Sequence, residues 1–249
     1  MLDNIIFYVA SIAAVIFVLC PHEWGHAFVA TKCGDGTPKA YGRLTLNPIK
    51  HLDPVGFICC ALVGFGWAKP VPINPNNFRN YRRGLFLTAV AGVVVNYIVA
   101  FFAFLLCALF SHFVFNDIIF IIEGELYYNY YSLNSAIDYL GYFICLFFYL
   151  LYAYSLSVFV FNLLPLYPLD GFRVVESLTR QVNPVRRFLR NYGQMILIIL
   201  IVESFICDIL VDFGIDWAGY CDILGYVMYF ATHIIGYPIQ VAWGWILAL

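Results

Sequence analysis

The sequence predicts an all-α polytopic membrane protein, with about five spanning helices and one re-entrant loop or hairpin. Three observations carry that expectation. The 249-residue chain is 63% hydrophobic and only 11% charged, whereas soluble domains carry about 25% charged residues. Several apolar runs reach the roughly 20 residues that cross a bilayer as a helix. All 13 Lys and Arg fall in three stretches, 32–50, 69–83 and 173–190, and basic loops stay cytoplasmic.

The runs follow in order. Residues 5–30 open the chain; Asp3 precedes them without any Lys or Arg, and no small-residue cleavage site follows, so the run reads as a retained helix and not a signal peptide. The N-terminus is then outside and 32–50 inside. Residues 55–68, "VGFICCALVGFGWA", are too short for a spanning helix and have basic segments on both sides. Gly56, Gly64 and Gly66 weaken a helix further. This piece reads as dipping in and returning; a short helix lying in the interface is the other reading. Residues 84–113 lead outward to 114–138, which carries Asp117, Glu123, Glu125 and Asp138 and no base. Within it, "LYYNYYSLNS" reads as an interfacial aromatic belt. Residues 139–161 lead back inward and 193–211 outward to a second acidic segment, 208–222; 223–249 brings the C-terminus inside. The expectation is one domain over 1–249, with a core in 1–180 and additional helices at 193–211 and 223–249. The eight cysteines form no CxxC pair and read as small buried apolar residues. The expected surroundings are a lipid bilayer, the cell membrane; nothing in the charge pattern points to nucleic acid.

One stretch breaks the apolar pattern. "VLCPHEWGHAFVA", residues 18–30, puts two histidines and a glutamate inside the first run. His22 and His26 are four apart and share a helix face. H-E-x-x-H on a helix is the arrangement in which two imidazoles hold Zn²⁺ and the Glu, here Glu23, takes a proton from water. Ionisable groups at such cost in the membrane are functional by default. His22 lies 17 residues beyond Ile5, roughly 25 Å along a helix, hence nearer the basic, cytoplasmic side. A catalytic zinc takes three protein ligands and keeps one position open. His51, His112 and His233 read as ordinary interfacial or packing histidines. "NLLPLYPLDG", residues 162–171, brings Asp170 to the same side. Pro165 and Pro168 stop the preceding helix, and Gly171 lets the backbone turn. On these residues alone, Asp170 is either a third ligand or the cap of a following helix, 172–181.

"HEWGH" together with "NLLPLYPLDG" resembles the site-2 protease family of intramembrane zinc metalloproteases. "GWAKPVPINP" (66–75) and "AGVVVN" (91–96) resemble two further family segments, with Val93 where the family often has Pro. The resemblance covers residues 20 to about 180. It implies one Zn²⁺ held by His22, His26 and Asp170, with Glu23 as catalytic base. It implies a minimal form without PDZ or CBS domains, and a transmembrane protein as substrate, cut by regulated intramembrane proteolysis. Thr88, Gly92 and Asn96 recur at every fourth residue as a small, polar stripe on a greasy helix. The stripe is either packing glue or a source of an oxyanion donor at Asn96. Asn162 either binds substrate backbone or ties down the Pro-rich turn. Glu203 reads as pairing inside the bundle; Arg186, Arg187 and Arg190 read as anchors at anionic headgroups. Two other functions share these residues. A divalent-metal transporter would use the same ligands, but would be expected to show repeated halves with broken helices, and none are visible. A catalytically inactive scaffold would be expected to have lost the Glu or a His.

Overall fold

Long apolar runs become long helices. In the computed structural model, which describes residues 2–56, 68–114, 119–122, 125–128, 133, 135–180 and 182–247, four helices are long and apolar enough to cross a membrane. They are α1 (Leu2–Cys33), α4 (Tyr81–Phe113), α5 (Ala136–Leu163) and α7 (Pro184–Asp212). At 1.5 Å per residue they run about 42–50 Å. Between α1 and α4 the described residues include the single-turn helices α2 (Thr37–Ala40) and α3 (Pro48–His51) and a 3₁₀ turn (Pro75–Asn77). After α5 come α6 (Asp170–Leu178), then α7, a 3₁₀ segment (Asp216–Cys221) and α8 (Ile223–Leu247). α8 is also long enough to cross, although His233, Pro238 and Gln240 interrupt its apolar run. The all-α membrane architecture expected from the sequence is the one observed.

The helix starts follow local chemistry. Asn80 caps α4 by accepting from Arg83 N. Ser135 and Asp138 form a capping box at the start of α5. Asn183 caps α7, with Pro184 in the first turn, where its missing N–H costs nothing. α5 stops at Leu163, two residues before Pro165.

α1, α4 and α5 pack around one core. Ala10 and Ala14 of α1 and Ala100 and Ala103 of α4 are fully or almost fully buried, and such small residues let membrane helices approach closely. The approach is tight at Gly25, where a Cβ would stand 2.9 Å from Val95 Cγ2 and 3.2 Å from the Ala91 carbonyl oxygen. α8 joins the same core. Ile239 is 0% exposed, Trp243 Nε1 donates to the Phe101 carbonyl at 3.1 Å, and Gln240 Nε2 donates to the Tyr152 hydroxyl at 3.1 Å.

Three findings qualify the sequence reading. The acidic segment after α4 contains an antiparallel hairpin, β1 (Ile119–Ile122) with β2 (Glu125–Tyr128), in register Ile119↔Tyr128 to Ile122↔Glu125. Its β-branched and aromatic residues favour strands, so part of the presumed aromatic belt is paired backbone. The run 55–68, expected to dip and return, lies mostly outside the described residues. The residues on either side of that part approach each other: Leu52 and Ala68 form an antiparallel bridge, and Lys69 N donates to the His51 carbonyl at 2.8 Å. Finally, Arg186 and Arg190 both pair with Glu176 of α6; Arg186 is 7% exposed and so turned inward, while half of the Arg190 side chain stays exposed.

Candidate active site

Three donor atoms converge from two distant parts of the chain. His22 and His26 project from one face of α1, and Asp170 comes from the first turn of α6. His22 Nε2 lies 3.0 Å from His26 Nε2, His26 Nε2 lies 2.9 Å from Asp170 Oδ2, and His22 Nε2 lies 3.4 Å from the same oxygen. All three residues are buried, and among the described residues they are the group of metal-ligand type that converges. Ligand atoms at zinc–nitrogen and zinc–oxygen distances in a tetrahedron stand about 3.3 Å apart. The triangle therefore fits the donor set of a zinc with one position left open. With both Nε2 atoms unprotonated, their lone pairs and the Asp170 carboxylate would converge on one point, as a metal site requires.

The far side of each ring is held as well. His26 Nδ1 is 2.7 Å from the Thr88 carbonyl oxygen. A carbonyl only accepts, so Nδ1 carries the proton and Nε2 keeps its lone pair for a metal. His22 Nδ1 lies 3.1 Å from the Asn96 side-chain amide, whose Oδ1 is buried without a partner. With the amide turned by half a rotation, Oδ1 accepts from Nδ1–H and His22 is set in the same way. Gly92 makes room for both rings: a Cβ there would be 2.7 Å from His22 Cε1 and closer still to His26 Nε2. So the stripe Thr88, Gly92, Asn96 faces the two histidines. Asn96 meets the back of His22, which is a positioning geometry.

Asp170 reaches the histidines because of the turn before it. The helix stops at Leu163, the Tyr167–Pro168 peptide is cis, and α6 begins at Asp170 itself, with Leu169 as a cap that makes no side-chain bond. Asp170 thus does not cap a helix; its carboxylate faces His22 and His26. Gly171 is needed for close approach, since a Cβ there would overlap the carbonyl oxygens of Leu163 and Leu164. Gly193 of α7 does the same against Tyr167, where a Cβ would stand 2.6 Å from the backbone nitrogen.

A polar cavity of about 130 Å³ opens on this cluster, room for a handful of waters. Glu23 lines it beside His22 and His26, as does Asn162, whose Nδ2 donates to the Val158 carbonyl at 3.0 Å. Arg173, Val71 and Ile73 also line it, and the sequence reading gave none of them a role. Arg173 Nη1 stands 3.7 Å from Asp170 Oδ1, and its i,i+3 spacing from Asp170 was the available signal. Val71 and Ile73 line the wall opposite, and Val71 N donates to Glu23 Oε2 at 2.9 Å; no residue pattern announces a backbone contact. A separate apolar cavity along α7, beside Glu203, gathers no such set of donors. Glu203 there meets Cys207 Sγ at 3.7 Å, and its Oε2 has no partner.

Compared with known families, residues 10–203 match the model of peptidase family M50. The chain belongs to peptidase family M50. It is accordingly a zinc metalloprotease, and the resemblance to site-2 proteases seen in its motifs holds. A Bacillus subtilis protein named "Putative zinc metalloprotease YwhC" is 36% identical over 207 residues, covering 81% of this chain and 86% of that protein. A Mycolicibacterium smegmatis protein named "Putative zinc metalloprotease Rip2" is 27% identical over 207 residues, covering 78% of this chain and 67% of that one. No solved structure matches. For an M50 peptidase, the donors above stand where a metal is needed: beside a carboxylate, at a wet cavity, inside a bundle of membrane-length helices.

Proposed function

We propose that this M50 peptidase hydrolyses peptide bonds within or near the transmembrane segments of membrane proteins, in the manner of regulated intramembrane proteolysis. The observation that carries the reading is the convergence of His22, His26 and Asp170, with Glu23 in the same cavity, within helices built to span a bilayer. Held by those three ligands, zinc supplies a Lewis acid that lowers the pKa of a water toward about 7 and polarises the scissile carbonyl. Glu23 accepts the proton of the attacking water and delivers it to the leaving nitrogen. Thr88 and Asn96 hold the imidazoles in their ligating tautomer. Asn162 and Arg173, at the cavity wall, offer polar groups to the substrate backbone and to developing negative charge. The whole chain acts as one membrane domain. Its basic loops set it with the N-terminus outside and the site near the cytoplasmic face of the cell membrane. A helical substrate must unwind locally there, because its peptide bonds are otherwise shielded by their own hydrogen bonds.

The test is Glu23→Gln, purified in detergent beside the wild type and incubated with a panel of single-span segments. Both proteins should hold stoichiometric zinc, and the variant should lose cleavage by about a hundredfold or more. Wild-type cleavage by the variant, or wild-type protein without zinc, would overturn the reading.

A further inference from the structure

Residues 69–74, Lys-Pro-Val-Pro-Ile-Asn, run without helix or strand along the cavity wall. Pro70 and Pro72 carry no N–H, so across three consecutive residues the backbone has one donor, that of Val71. Each proline also holds the residue before it extended. The lone N–H of Val71 donates to Glu23 Oε2 at 2.9 Å, and Val71 is 6% exposed. The strap is braced at both ends. Upstream, Lys69 N donates to the His51 carbonyl at 2.8 Å, and the buried Arg43 guanidinium donates to the carbonyls of Lys69 and Pro70. Downstream, Asn74 N donates to Asp35 Oδ2 at 2.7 Å, and Asp35 Oδ1 accepts from Asn77 Nδ2 at 2.9 Å and from Thr37. Burial pushes the Asp35 carboxyl up, but these donors outweigh it and hold the group below the usual carboxylate range.

We infer that the Pro-Val-Pro strap is a positioning device for Glu23: the Val71 N–H engages one carboxylate oxygen, fixes a side chain with three rotors, and leaves the other oxygen for proton transfer. Val71 acts through Glu23 and is a positioning residue. The inference rests on Glu23 as the base.

Backbone amide exchange of the full chain in detergent, resolved by residue, tests the bond itself. With prolines at 70 and 72, the Val71 amide is an isolated signal. Wild type and Glu23→Gln, which keeps an acceptor oxygen, should protect it. Glu23→Ala should speed its exchange by about tenfold or more, with Lys69 and Asn74, bonded elsewhere, unchanged. Unaltered protection of Val71 in Glu23→Ala overturns the inference. Kinetics supply the second arm. Val71→Pro removes the donor and should lower kcat about ten- to a hundredfold, with KM within about twofold and zinc retained. Val71→Ala, which restores the N–H, should recover most of that loss; equal kcat in the two variants overturns the inference. Retained cleavage in Glu23→Gln would remove the base itself. An unaffected Val71 amide removes only the strap, so the two failures are separable.

Discussion

His22 and His26 meet three α4 residues with the same spacing of four: Thr88, Gly92 and Asn96. Both halves of that match were visible in the sequence as periodic patterns. A period names a face, however, and not its partner, so the stripe read as either packing glue or an oxyanion source, and Asn96 sits behind His22. The backbone carbonyl of Thr88 and the amide of Val71 were illegible for a simpler reason, since every residue carries such groups. The geometry makes two substitutions informative. Gly92→Ala places a methyl 2.7 Å from His22 Cε1 and against the His26 ring. Asn96→Leu removes the acceptor for Nδ1. Each should weaken zinc binding about ten- to a hundredfold while helix content is kept, as competition with a chelator and circular dichroism would read.

At the scale of elements, α6 decides where Asp170 goes. It has nine residues, too few for stability of its own, so it is held from outside. Gly171 seats its start under the end of α5, and Glu176 ties its other end to Arg186 and Arg190 of α7. The prolines and glycine of the turn were legible in the sequence. The clamp was not, because charge tells which side of the membrane a residue favours and leaves its partner open. The two arginines differ in burial, with side chains 8% and 52% exposed. Removing Glu176 strands a buried charge at Arg186, so Glu176→Ala should cost roughly 3 kcal/mol or more. Arg190→Ala, which loses a half-exposed partner, should cost no more than about 1 kcal/mol. Thermal unfolding in detergent ranks the two; equal effects would mean that the clamp carries no buried charge.

For the whole molecule, counting residues from each membrane edge placed the histidines and Asp170 at one depth, and the structure brings them together. The docking of α8 was not readable, because a helix that is apolar nearly all round declares no face. On the orientation proposed from charge, Cys33, next to Lys32 at the end of α1, faces inward with the basic loops. Cys221 is exposed in the 3₁₀ segment between α7 and α8, where Asp208, Asp212, Asp216 and Asp222 stand without a base. The active-site cluster lies toward the Cys33 end of α1, so on the proposed orientation water would reach Glu23 from the side on which Cys33 lies. Two variants, each keeping one of these cysteines, turn this into a measurement on intact cells. A membrane-impermeant maleimide should modify Cys221 at once and Cys33 only after the membrane is opened. The reverse order would put the basic loops outside, and with them the mouth of the cavity.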